Sequence, residues 1–119
     1  MIIQDSKSIK DIQTEFHHMF PGLRIVFYQV GHDDHEGSEK DMEYTSDNKL
    51  FNIRQRHTEG VIEIKPEMTV QQLEQGFEEL FGLHVQIFRK SGTVWLQTIH
   101  TDDWTLKKQN EKGLETAHD

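Results

Sequence analysis

Two segments of the chain resemble each other, and this similarity restricts the fold more than any other feature of the sequence. One begins at Ser6 and reads SKSIKDIQTEFHHMFPGLRIVF, and the other begins at Glu67 and reads EMTVQQLEQGFEELFGLHVQI. In both, apolar residues recur at spacings of three and four and then alternate with polar residues, which is typical of a helix followed by a strand. An ancient duplication and two units under equal packing demands are alternatives, and both predict the same local structure.

A short apolar run precedes each helix, at residues 2–3 and again at residues 61–64. The order strand–helix–strand therefore occurs twice, which predicts an α+β fold of the split βαβ kind. We expect one mostly antiparallel sheet with the helices on one face. Ser8 and Thr69 lie at N-cap positions, and Thr69 with Gln72 matches a capping box.

The last third of the chain adds a hairpin and a helix. Ser91-Gly92 suits a tight turn, and a closing strand is expected at residues 93–99. An acidic run then begins a terminal helix that ends before Gly113. We therefore predict a single domain over residues 1–113, followed by a frayed tail at residues 114–119.

Between the two halves lies a loop, residues 31–49, that holds seven acidic residues against two lysines. Long loops are usually functional or disordered, and we expect a flexible one, followed by a short helix at residues 48–56. His32 and His35 lie among carboxylates in this loop, so they are weak candidates for a Zn²⁺, Ni²⁺ or Cu²⁺ site. Nothing pre-organises the pair, and we expect a solvated loop with no metal and no cofactor.

The sequence contains no arrangement typical of a catalytic centre. It has no cysteine, and therefore no thiolate nucleophile, and it lacks a nucleophile elbow and a phosphate loop. His100 lies beside Asp102, which suits a general base, although capping of the last helix by Thr101 or Asp102 is favoured. His17 and His18 are expected to lie on the surface. We therefore expect no enzymatic activity.

The formal charge of −8 bears on partners. The 13 basic residues are scattered, whereas nucleic-acid-binding proteins cluster lysine and arginine against phosphates. No apolar run approaches the roughly 20 residues that span a bilayer. We expect neither nucleic-acid nor membrane binding, and the absence of cysteine suits a reducing, cytoplasmic location.

Strand alternation predicts an apolar surface on the sheet face away from the helices. Tyr28 and Phe88 alternate away from the core-facing residues of their strands, and Trp95 joins them in one of the two phases open to the last strand. Such a surface is too apolar to be left bare, so the C-terminal helix, a second copy of the chain or another partner is expected to cover it. We therefore predict a non-catalytic protein-interaction or assembly module that uses this surface to bind a protein partner or itself, with a homodimer as one form. A protein that binds a small ligand or a divalent metal is the alternative.

Residues 77–113, FEELFGLHVQIFRKSGTVWLQTIHTDDWTLKKQNEKG, resemble a family of small bacterial α+β proteins. A tryptophan-containing strand followed by a TDDWTL-type helix start carries the resemblance, which is clear over residues 59–113 and looser over the first half. No activity is assigned to that family. The resemblance therefore implies a bacterial, intracellular, independently folded domain and gives no residue a role.

Overall fold

A computed structural model describes residues 1–29 and 42–116 of the chain. The strands are β1 (Ile2–Ile3), β2 (Leu23–Tyr28), β3 (Gly60–Val61), β4 (His84–Ser91) and β5 (Val94–Gln97). The helices are α1 (Ile9–Met19), α2 (Leu50–Ile53), α3 (Val70–Phe81) and α4 (Leu106–Thr116), with a 3₁₀ turn at Ile99–Thr101. Within the described ranges, no helix combines the length and the apolar character needed to cross a membrane.

The predicted α+β class and antiparallel pairing are confirmed, with the strands divided between two sheets. β1 pairs with β3, and the larger sheet has the order β2–β4–β5. Side chains of α1 lie along the outer edge of β2: Gln13 Nε2 donates a hydrogen bond to Ile25 O at 3.0 Å, and His17 Nδ1 lies 3.3 Å from Leu23 O. These contacts occupy carbonyls to which a further strand would bond, so β1 pairs elsewhere.

Helices α1, α3 and α4 pack on one face of the larger sheet. Phe27 of β2 meets Phe77 of α3 edge-on, with ring centroids 6.2 Å apart. Leu106 of α4 is buried in the same cluster, so α4 lies on this face as well. Burial of each large side chain stabilises the fold by roughly 1.5–3 kcal/mol. The fully buried members include Ile3, Ile9, Ile12, Phe16, Leu23, Ile25, Leu50, Val70, Leu73, Phe77, Ile87 and Leu106.

Both long helices begin with a capping box. Ser8 Oγ accepts a hydrogen bond from Asp11 N at 3.1 Å, while Asp11 Oδ2 accepts one from Ser8 N at 2.9 Å. Thr69 and Gln72 form the same reciprocal pair, which confirms the prediction. Hydrogen bonds from the Ser8 backbone and then its side chain lower the pKa of Asp11. The first box therefore depends on an ionised carboxylate, and the second does not.

The two halves also share a pattern of backbone hydrogen bonds. Leu50 N donates to Lys7 O at 2.9 Å, and Leu106 N donates to Met68 O at 2.8 Å. Each bond ties the start of a later helix, α2 or α4, to the residue just before the N-cap of the preceding long helix. α2 and α4 therefore occupy equivalent positions, and the similarity of the halves extends from strand–helix–strand to a following helix.

α4 continues through Gly113 to Thr116, so the prediction that this glycine lies past the helix end is wrong. Gly113 instead permits close packing, because a Cβ built on it would lie 2.5 Å from Gly22 O. Gly22 N donates to Asn110 Oδ1 at 2.7 Å, which holds the turn before β2 against α4. Glycine serves both helix ends and close backbone approaches, so residue type alone does not distinguish the two.

The helix predicted at residues 48–56 is limited to α2, and Arg54 follows it in extended conformation. The Arg54 side chain is buried: Nε donates to Asp5 Oδ1 at 2.9 Å, and Nη1 donates to Phe81 O at 3.0 Å. Its Nη2 lies 2.8 Å from the same Asp5 oxygen in an ion pair. Arg56 donates to two further carbonyls in the last turn of α3, so two arginines satisfy the C-terminal end of that helix.

Candidate functional site

The face of the larger sheet opposite the core, which we call the open face, carries one row of side chains from each strand. Arg24 lies opposite Phe88, and Lys90 lies opposite Trp95. Directly opposed residues of an antiparallel pair project from the same side of a sheet. β5 therefore places Trp95, and not Leu96, on the open face, which decides between the two phases that the sequence leaves open. The open face comprises Arg24, Val26, Tyr28, Gln86, Phe88, Lys90, Trp95 and Gln97, of which Val26, Tyr28 and Gln86 are buried.

A shallow cavity of about 200 Å³ lies on the open face. It is bordered by the three residues of the predicted interaction surface, Tyr28, Phe88 and Trp95, together with Arg24 and Glu43. Tyr28 is buried at 3% exposure, whereas Phe88 and Trp95 are partly exposed. The structure therefore brings the three side chains together, and the last two supply the accessible aromatic area.

The second part of the predicted acidic loop pairs with β2 beside Tyr28. Gln29 N donates to Met42 O and Tyr44 N donates to Phe27 O, each at 2.9 Å. Burial, and after it the charge of Glu43, raises the pKa of Tyr28 to about 12. The phenol is therefore neutral across the physiological range.

Cationic side chains flank the exposed rings. Lys90 Nζ lies 5.1 Å from the centroid of the Trp95 ring, within cation–π range. Arg24 Nη2 lies 3.9 Å from Glu43 Oε2, and both side chains remain accessible to solvent. Aromatic and arginine side chains in one patch are typical of the centre of a protein–protein interface.

A second depression of about 300 Å³ lies between α1 and Trp95, and we call it the α1–Trp95 groove. It shares Arg24 and Trp95 with the cavity on the open face, so the two depressions adjoin. Its helix side includes His17 and His18, which are exposed as predicted. No pattern in the sequence indicates the groove, because its lining residues come from both halves of the chain and only the fold brings them together. The lining residues, none of them acidic, are Lys10, Gln13, Thr14, His17, His18, Arg24 and Trp95.

The terminal helix does not cover the open face, so that alternative is wrong. Arg89, on the core side of β4, donates from Nη1 to Gln109 Oε1 of α4 at 2.9 Å. Trp104 lies against the same arginine and against Lys108, with the cationic groups 5.5 and 4.1 Å from its ring centroid. Leu106 is buried in the core. The apolar contacts of this helix are therefore made on the other side of the sheet.

A histidine–carboxylate pair that the sequence did not indicate lies just beyond α2. His57 Nδ1 is 2.9 Å from Asp5 Oδ2, across 52 positions of sequence, and its ring stacks on Phe51 at 4.7 Å between centroids. Such a pair orients an imidazole for proton transfer, but Arg54 binds the other oxygen of this carboxylate. No described hydroxyl group forms a hydrogen bond with His57. The pair therefore belongs to the network that holds the buried arginine.

His100 is exposed in the 3₁₀ turn. The predicted capping of α4 by Thr101 or Asp102 is wrong, since Thr105 Oγ1 accepts the hydrogen bond from Lys108 N at 3.1 Å. Thr101 lies inside the 3₁₀ turn and is too far ahead of the helix to cap it. The geometry gives no support to the interpretation of His100 as a general base either.

Within residues 1–29 and 42–116, no group of three His, Asp or Glu side chains is placed to hold a metal ion. The weak candidates His32 and His35 lie outside the described residues. A cavity of about 720 Å³ lies between α2 and the end of α3, where Arg54 and Arg56 border it. Arg54 bonds to the Asp5 carboxylate, so much of the local positive charge is neutralised within the fold.

No family model, curated protein or solved structure matches this chain. Function is therefore inferred from the geometry of the open face and of the groove beside it.

Proposed function

We propose that this protein is a non-catalytic protein-interaction or assembly module that binds through its open face. One observation carries the proposal: Phe88 and Trp95 are partly exposed beside a cavity on a face that the described helices leave uncovered. Exposed aromatic rings grouped in this way usually mark an interaction surface. Arg24 and Lys90 add the polar rim that such surfaces carry.

Self-association is one form of this proposal. Among the described strands, β5 lies at the edge of the larger sheet, and its Val94 and Leu96 side chains are 53% and 42% exposed. An exposed apolar edge strand favours pairing with another strand, and a second copy of the chain supplies one. A homodimer formed in this way extends the sheet across β5, whereas a different protein partner covers the open face itself.

The variants Phe88→Ser and Trp95→Ser test the open face, and Leu96→Ser is the matched control on the other face of β5. We expect each of the first two to weaken self-association or partner binding by about tenfold or more, because truncated aromatic contacts at the centre of an interface carry most of its energy. Light scattering over a concentration series measures self-association. If Leu96→Ser also weakens self-association, the contact lies at the edge of β5.

A wild-type chain that stays monomeric at high concentration removes the homodimer form. If the partner is another protein, we expect affinity capture to recover it with the wild-type chain and with the Leu96→Ser variant, but not with the Trp95→Ser variant. Identical recovery by all three proteins contradicts the proposal.

Binding of a small ligand or a divalent metal is the alternative proposal. The cavity of about 720 Å³ favours a small polar ligand, since pockets for such molecules usually measure about 300–1,000 Å³.

The cytoplasmic location that we propose for the module is supported by its cysteine-free composition.

A further inference from the structure

We propose that the α1–Trp95 groove is the acceptor for a second copy of this chain, which inserts the acidic end of its α3 at Glu78, Glu79 and Leu80. This inference rests on the proposed function in its self-association form, but it places the contact at the α1–Trp95 groove, which shares Arg24 and Trp95 with the cavity on the open face, and not at the edge of β5. The contact joins different parts of the two copies, which makes it heterologous.

The α1–Trp95 groove is cationic although the chain carries a formal charge of −8. Lys10 and Arg24 border it and are exposed, and none of its lining residues is acidic. Within the described residues Lys10 forms no ion pair, and the one ion pair of Arg24 is the 3.9 Å contact to Glu43. The groove therefore retains positive charge that an acidic partner can neutralise.

The opposite chemistry is found at the end of α3. Leu80 is 51% exposed, and it follows Glu78 and Glu79, which are exposed as well. Among the described residues neither carboxylate forms an ion pair, because Arg56 bonds to the backbone carbonyls of these two glutamates instead. The α3 end thus presents two exposed carboxylates followed by an exposed apolar side chain, with the Arg56 guanidinium bonded to the backbone of the same turn. It complements a groove with one tryptophan wall and cationic borders.

The two surfaces share two equivalent positions in the two halves of the chain. His17 and His18 of α1 align with Glu78 and Glu79 of α3 when the similar segments are superimposed in sequence. Two grooves repel each other, as do two α3 ends, whereas the groove of one copy attracts the α3 end of another. This difference selects the pairing of the α1 side of one copy with the α3 side of the other.

Both surfaces are held in place by hydrogen bonds to the rest of the fold, so few side chains have to become ordered when the two copies associate. Gln13 and His17 contact carbonyl oxygens of β2 along the helix side of the groove. Arg56 and the left-handed Gly82 hold the last turn of α3. Pre-formed surfaces lose little conformational entropy on association.

Charge reversal tests this pairing. The double variant Lys10→Glu/Arg24→Glu makes the groove acidic, and Glu78→Lys/Glu79→Lys makes the α3 end basic. We expect each to weaken self-association by about tenfold or more when measured alone by analytical ultracentrifugation. An equimolar mixture of the two should associate as tightly as the wild-type chain, because each contact between one variant and the other again joins opposite charges.

A matched control separates this contact from an effect of net charge. Lys65→Glu/Lys112→Glu changes the charge by the same amount at exposed positions that border neither surface, and it should leave association unchanged. Circular dichroism melting verifies that each variant is folded. Should a reversed variant fail to fold, Lys10→Gln/Arg24→Gln removes the positive charge without adding a negative one and is expected to weaken association in the same direction.

A wild-type chain that remains monomeric, a mixture that does not recover association, or equal weakening by the control overturns the inference. Self-association that depends on Phe88 and Trp95 but not on the reversed charges also overturns it, while leaving the proposed function intact.

Discussion

At the scale of single residues, the Asp5–Arg54 pair links the start of the chain to the end of α3. The Arg54 side chain is 0% exposed, and that of Asp5 is 17% exposed. Burial by itself raises the pKa of Asp5, but the hydrogen bond and charge of Arg54, followed by those of His57, outweigh burial and hold the pKa below its usual value. The stabilisation from this ionised carboxylate is therefore fully present above the unfolded-state pKa of about 3.9, and it is lost as the pH falls through the lower folded-state pKa.

Asp5→Asn removes the counter-charge of a buried guanidinium, and we expect it to lower the free energy of unfolding by about 3 kcal/mol at neutral pH. Urea unfolding measures the change, with Glu67→Gln as the control because Glu67 is exposed. The difference between wild type and Asp5→Asn should begin to shrink as the pH falls below the unfolded-state pKa of about 3.9, and it should disappear as the pH passes through the lower folded-state pKa of Asp5. Equal stability of the two proteins at neutral pH would show that Asp5 does not stabilise Arg54.

At the scale of secondary structure elements, the position of α4 depends on contact between two glycines. Gly113→Ala places a Cβ 2.5 Å from Gly22 O. We expect it to lower the free energy of unfolding by about 2 kcal/mol, although alanine favours a helix interior over glycine by about 1 kcal/mol. The backbone clash dominates, because neither the turn nor the helix can move independently of the hydrogen bond from Gly22 N to Asn110 Oδ1.

The matched control is Gly76→Ala, which makes the same change inside α3. There the added Cβ meets only the end of the Ile62 side chain, at 3.3 Å, so we expect a change in stability much smaller than that of Gly113→Ala. Thermal unfolding compares the two variants. A stabilised Gly113→Ala protein would mean that α4 does not approach the turn before β2 as closely as described.

At the scale of the whole molecule, the charge of −8 and the eight histidines determine how the protein responds to pH. The sequence pI is about 5.4, since protonation of histidines below about pH 6 cancels much of the net negative charge. We expect a solubility minimum near this pI, because a net charge close to zero promotes association. Dynamic light scattering across the acidic range measures it, and a sample that stays monodisperse through the pI would contradict the expectation.

Local patterns in the sequence predicted the two long helices and the hairpin, although they misplaced the ends of α2 and α4. Apolar spacing identified α1 and α3, Thr69 with Gln72 identified a helix start, and Gly92 at φ 60° occupies the predicted hairpin turn. Alternation likewise placed Tyr28 and Phe88 away from the core. These features depend on hydrogen bonds and periodicity within a few residues, so they can be read along the chain.

Which elements pack against each other became clear from the folded chain alone. It selected the phase of Trp95, placed α4 on the core side of the sheet, and formed the α1–Trp95 groove from both halves of the chain. The bond from Arg54 to Asp5 spans 49 positions and that from Gly22 to Asn110 spans 88. Contacts at such separations depend on how several elements pack together, and no local pattern of residue types encodes that packing.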